Sequence, residues 1–137
     1  MFLDELSEDD VVCANFAVLK RYRQEHLHNP KPKGLGGCLG GIFYRDAEGT
    51  YLSGQLEDMA GLVLLRIAEG QYFIEGNKRT AVVACSFFLR KNGLLLDVDA
   101  KRFKDIIVSF GLHSGQKSSR EVADEAKEFV RDFSYAS

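Results

Sequence analysis

Little cysteine, few histidines and no long apolar run set the first limits on this chain. The three cysteines, Cys13, Cys38 and Cys85, stand far apart, show no Cys-x-x-Cys spacing and leave one over if two pair. Reduced thiols in a cytoplasmic protein are therefore expected. Positive charge is not in excess, because 18 Lys and Arg against 20 Asp and Glu give a formal net charge of −2. That balance speaks against a direct nucleic-acid partner while leaving room for a local cationic site. Residues 1–10 carry five acidic side chains and no basic start before an apolar run, so they do not read as a secretory signal. Arg66 and Glu69 interrupt one apolar stretch and Arg90 and Lys91 bound another, so no membrane span is expected. Of the three histidines, His26 and His28 lie too close in sequence to share a helical face, and His113 sits in a glycine-flanked loop. All three read as solvated surface groups rather than metal ligands.

What remains is a chain of 137 residues, 45% apolar and 28% charged, which suits one globular domain over residues 1–137. Ser7 followed by Glu8, Asp9 and Asp10 predicts a capped helix that continues through Val11, Ala14, Phe16, Val18, Leu19 and Tyr22 and ends before Asn29 and Pro30. The glycine-rich residues 34–41 lack the Lys-Ser/Thr of a phosphate loop and read as a flexible loop. Residues 42–45 and 50–52 favour strand and are joined by Asp46-Ala47-Glu48-Gly49, a hairpin composition. Residues 55–69 are apolar on most of a helical circumference, and residues 80–89 predict a second buried helix that Gly93 stops. Leu94-Leu95-Leu96 reads as an extended linker. Asp99 then caps a helix bearing Phe103, Ile106, Ile107 and Phe110, and Ser118 or Ser119 starts a last one bearing Val122, Ala126, Phe129, Val130 and Phe133. The fold class expected is all-α, five helices with one small hairpin.

Between the two buried helices stands Gln71-Tyr72-Phe73-Ile74-Glu75-Gly76-Asn77-Lys78-Arg79. A helix N-terminus offers unpaired N–H groups and a positive dipole end, which attract anions. Gly76 permits close backbone approach or a positive φ, Asn77 is a good cap residue, and Lys78 and Arg79 add full charges. Glu75 repels a bare phosphate and makes sense if a divalent cation lies between them.

This stretch resembles the signature of the Fic/Doc family, His-x-Phe-x-Asp/Glu-Gly-Asn-Gly/Lys-Arg, at every constrained place but the first. The resemblance implies a compact helical bundle with a β-hairpin flap before the motif. Lys78 looks like the Doc (death-on-curing) branch, toxins of toxin-antitoxin systems that use ATP to phosphorylate elongation factor Tu. The nucleotidyl-transferring branch usually has Gly there and a second Arg three residues after the first, where this chain has Val82. By the same resemblance, Glu75 would hold Mg²⁺, Asn77 and the backbone around Gly76 would form an anion hole, Lys78 and Arg79 would bind the phosphates of ATP, and Phe73 would anchor the loop.

The departure is Gln71, where the family has the histidine that takes the proton of the substrate hydroxyl. A neutral amide can hydrogen-bond a hydroxyl but has essentially no basicity near pH 7. The loss of a base is worth about 10²–10⁴-fold, so the resemblance implies retained binding and weakened or abolished transfer. A natural pseudoenzyme and a disarmed toxin both fit Gln71, and the alternative to a transferase is a nucleotide- or partner-binding pseudoenzyme. The family's inhibitory Ser/Thr-x-x-x-Glu-Gly/Asn pattern has no match, since Ser7 leads to Val11 and Ser119 to Ala123, so any inhibitor would be a separate antitoxin.

Overall fold

The computed structural model describes residues 3–111 and 117–136. Along them run α1 (Glu8–Arg21), a short 3-10 turn (Glu25–Leu27), α2 (Leu35–Ile42), α3 (Leu56–Glu69), α4 (Asn77–Lys91), β1 (Leu94–Leu96), α5 (Ala100–Gly111), α6 (Ser119–Phe133) and β2 (Ser134–Ala136). The all-α class holds, with α3 at the centre. Met59, Ala60, Val63, Leu64, Ile67 and Ala68 are all fully buried there, as its apolar circumference requires.

Helix α4 returns along α3 after a short turn and buries Ala81, Ala84, Cys85, Phe88 and Leu89. On another side α6 approaches so closely at Gly61 that a Cβ there would lie 2.7 Å from the Lys127 backbone. Helix α1 runs antiparallel to α4. The Lys91 ammonium at the end of α4 meets Asp10 at 3.1 Å, while Tyr22 at the end of α1 meets Arg79 at the start of α4.

The helix starts follow their capping chemistry. Ser7 and Ser118 each accept from a first-turn N–H while Asp10 and Glu121 reach back to the cap N–H. Asp99 accepts from the Arg102 N–H at 2.8 Å and starts α5. Gly93, at φ 88°, takes the left-handed conformation that follows the end of α4.

Four expectations change. Helix α1 stops at Arg21, before the prolines, because the chain turns through Arg23 at φ 57° into the 3-10 segment. Residues 35–42 form α2 rather than a loop. Leu35, Leu39 and Ile42 fall on one face and are buried, about 2 kcal/mol each, which outweighs a glycine cost of about 1 kcal/mol each at four positions. The hairpin is reduced to one bridge between Arg45 and Tyr51, supported by the Leu52 N–H on the Tyr44 carbonyl at 3.1 Å, and Ile42 belongs to α2. Leu94–Leu96 is a strand, paired antiparallel with the C-terminal β2 so that Leu95 stands opposite Tyr135.

Candidate functional site at the start of helix α4

Seven residues, Gly70 to Gly76, connect α3 to α4. Phe73 is the apolar pin of this loop, 4% exposed and part of the main core. Asn77 is its polar clamp. The Asn77 side chain accepts the Phe73 N–H through Oδ1 at 2.9 Å and donates from Nδ2 to the Phe73 carbonyl at 2.8 Å. Asn77 therefore does not cap the helix. The N-cap is Gly76, at φ 79° with no side-chain cap, and Asn77 is the first helical residue.

An uncapped start matters because the first-turn N–H groups have no intrahelical acceptor. At α1, α5 and α6 a side chain supplies one. At α4 these groups are left for water or an anion, beside the exposed side chains of Lys78 and Arg79. The Asn77 amide is spent on Phe73, so the donors offered to an anion come from the backbone and the two cations.

Asn15 is the residue that the sequence did not betray. It sits fully buried on α1, and its Nδ2 donates to the Glu75 carbonyl and to the Thr80 hydroxyl, each at 3.1 Å. It thereby ties α1 across to the Gly76 end of the loop. Its Oδ1 is buried and has no partner among the described residues. The only signal in the sequence is a polar residue at a position in phase with Val11, Val18 and Leu19, where Phe16 beside it turns out to be 42% exposed.

Glu75 is exposed next to Gly76. Among the described residues no three His, Cys, Asp or Glu side chains converge on a metal position. A Mg²⁺ at Glu75 would thus take most of its ligands from phosphate and water, its usual mode, and one exposed carboxylate beside an uncapped helix start fits that mode. Gln71 is also exposed, and its backbone lies at φ 54°, a left-handed conformation uncommon for a non-glycine residue.

Tyr72 packs against α2, where its ring lies next to Gly34 and its hydroxyl next to the Cys38 thiol. Burial first, and Cys38 second, push its hydroxyl up to about 12, with Arg66 acting in the opposite direction. Gly70 and Tyr72 also border a cavity of about 600 Å³ between α3, α5 and α6, whose lining includes none of Glu75, Asn77, Lys78 or Arg79. The structure therefore brings Glu75, Gly76, Lys78 and Arg79 together at one helix end, with Gln71 at the far end of the same short loop. His28 is half-buried rather than fully solvated: its ring meets Phe16 edge-on at 5.1 Å, and its buried Nδ1 has no partner among the described residues. His113 lies outside the described residues.

No protein-family model matches the chain, and no curated protein matches it. Among the described residues no helix is long and apolar enough to cross a membrane.

Proposed function

We propose that this chain is a Fic/Doc-type domain that binds Mg-ATP at the start of α4 and modifies a protein hydroxyl by kinase-like phosphoryl transfer, with turnover held low by Gln71. The observation that carries the reading is the uncapped N-terminus of α4, where Gly76 is left-handed and Lys78 and Arg79 are both exposed. Phosphoryl transfer rests mainly on positioning and on stabilising charge. In this reading the backbone N–H groups after Gly76 and the side chains of Lys78 and Arg79 hold phosphate oxygens. Glu75 holds Mg²⁺, which supplies charge neutralisation when bound. Phe73, Asn77 and Asn15 keep the loop from shifting.

Gln71 orients the substrate hydroxyl without taking its proton. The resemblance makes elongation factor Tu the first substrate to try and an antitoxin protein the first partner. The backbone at Gln71 supports the family reading in one respect: histidine is among the non-glycine residues that tolerate the left-handed region best. A family histidine would fit φ 54° without rebuilding the loop.

A second reading is a pseudoenzyme that binds nucleotide or a partner and transfers nothing, and it is favoured by the lack of a basic side chain at Gln71. Two experiments separate the readings. Calorimetric titration with Mg-ATP is expected to show binding, and no heat at millimolar nucleotide would remove the phosphate site from both. Gln71→His is expected to restore label transfer from γ-³²P-ATP, but not from α-³²P-ATP, to elongation factor Tu. Label from the α position would overturn kinase-like transfer, and none from either would leave the binding protein.

A further inference from the structure

We infer that α2 is a conformational device, a helix built to open on its own and so to release the Gln71–Tyr72 end of the loop while the Gly76–Arg79 end stays fixed. Half of its eight residues are glycine. At Gly37, Gly40 and Gly41 a Cβ would meet nothing within 4 Å, so packing does not demand glycine there. Each glycine nevertheless weakens a helix relative to alanine by about 5-fold in its equilibrium constant.

The ends of α2 are weak too. Its N-cap Gly34 provides no side-chain cap, and neither its first nor its last turn carries a charge that complements the helix dipole. Leu35, Leu39 and Ile42, all on one face, are its fully buried anchors, with Cys38 half-buried beside them. Elements with so little support form the low end of the local-stability range.

What α2 holds gives the opening a consequence. Gly34 and Cys38 form one wall against which Tyr72 packs, the other being Gly70 at the end of α3, and Tyr72 directly follows Gln71. The other end of the loop is fastened elsewhere, by Asn77 on Phe73 and by Asn15 on Glu75 and Thr80. Melting α2 removes one wall of Tyr72, leaving it on Gly70 alone, and does not touch the Gly76 end. The loop thus has a rigid phosphate-facing half and a half whose position depends on an adjacent, marginal helix.

Native-state hydrogen exchange on the full chain tests this. The amides of residues 39–43 are expected to exchange about 10²-fold faster than those of Val63 and Leu64 in α3, through an opening that leaves α3 closed. In the variant carrying Gly37→Ala, Gly40→Ala and Gly41→Ala, α2 exchange is expected to slow by about 10²-fold, from about 5-fold per site. Alkylation of Cys38 is expected to slow with it, while exposed Cys13 reacts at its original rate and serves as the control. Wild-type α2 amides as slow as those of α3, or an alanine variant with unchanged α2 exchange, would overturn the device. Equal protection in α2 and α3 would assign the exposed glycines to close approach by another chain instead.

Discussion

The guanidinium of Arg79 lies 4.1 Å from the centre of the Tyr22 ring. Helix α1 thereby orders a cation that the α4 motif presents, although Tyr22 belongs to no motif. An exposed cation–π contact is worth about 0.5–1 kcal/mol. If that ordering serves phosphate binding, Tyr22→Ala should weaken Mg-ATP binding by about 2–5-fold in calorimetry, whereas Tyr22→Phe should leave it intact. Equal affinities for all three proteins would detach Tyr22 from the site.

The Asn77 clamp is a matter of stability before it is one of chemistry. Asn77→Ala leaves the buried N–H and carbonyl of Phe73 unpaired, a loss of about 2–4 kcal/mol. Urea unfolding should show that loss as a lower midpoint at unchanged slope. An unchanged midpoint would mean that water replaces the amide freely.

Gly61 is where α3 and α6 touch backbone to backbone. Alanine there favours the helix, yet its Cβ would sit 2.7 Å from Lys127 main-chain atoms. Overpacking of this kind costs about 1–3 kcal/mol, so Gly61→Ala should lower the melting temperature despite its better helix propensity. A rise in melting temperature would refute the close crossing.

Asp10 makes stability depend on acid. Burial works to raise its carboxyl, but the Ser7 N–H, the Lys91 ammonium and the Ser7 hydroxyl outweigh burial and hold it below the ordinary carboxylate value. With the folded-state pKa depressed, the stabilisation is complete above the unfolded value, about 4. It drains away as pH falls through the folded value. The Asp10→Asn variant should be less stable at pH 7 and should lose less than wild type between pH 5 and pH 2. Parallel stability profiles for the two proteins would exclude Asp10 as a contributor.

The thiols should react in a fixed order. Cys13 is exposed, Cys38 half-buried and Cys85 fully buried, and burial pushes the Cys85 thiol up to about 12. At pH 8 iodoacetamide should modify Cys13 first and reach Cys85 only after denaturation, as mass spectrometry of the digested protein can show. Early modification of Cys85 would contradict the packing of α4 on α3.

The elements most legible in the sequence were those whose local chemistry and burial agree. Ser7, Asp99 and Ser118 announce helices because their caps act over a few residues, and α3 shows its central place because it is apolar nearly all round. The Gly-Asn-Lys-Arg turn was visible for the same reason. Helix α2 was hidden because glycine argues against a helix, while the burial of Leu35, Leu39 and Ile42 depends on contacts distant in sequence. Asn15 and Gly61 escaped because their meaning lies wholly in what crosses them: the loop carbonyl at Glu75 and the backbone of Lys127. Gly76 takes the positive φ that its residue type permits, while Asn77, one place past the cap, is a clamp on the preceding loop instead of the cap.

The far end of α4 gathers Asp4 and strand β2. The Asn92 side chain accepts from the Asp4 N–H at 2.7 Å and donates to the Asp4 carbonyl at 2.9 Å, and just past Gly93 strand β1 takes up β2. Lys78 and Arg79 lie near the other end of α4, about 20 Å of helical rise from this knot. A fluorophore or surface linker attached at Asp4 or at Tyr135 in β2 therefore starts from the pole opposite the loop. Immobilising the protein by either one should leave the α4 start facing solution.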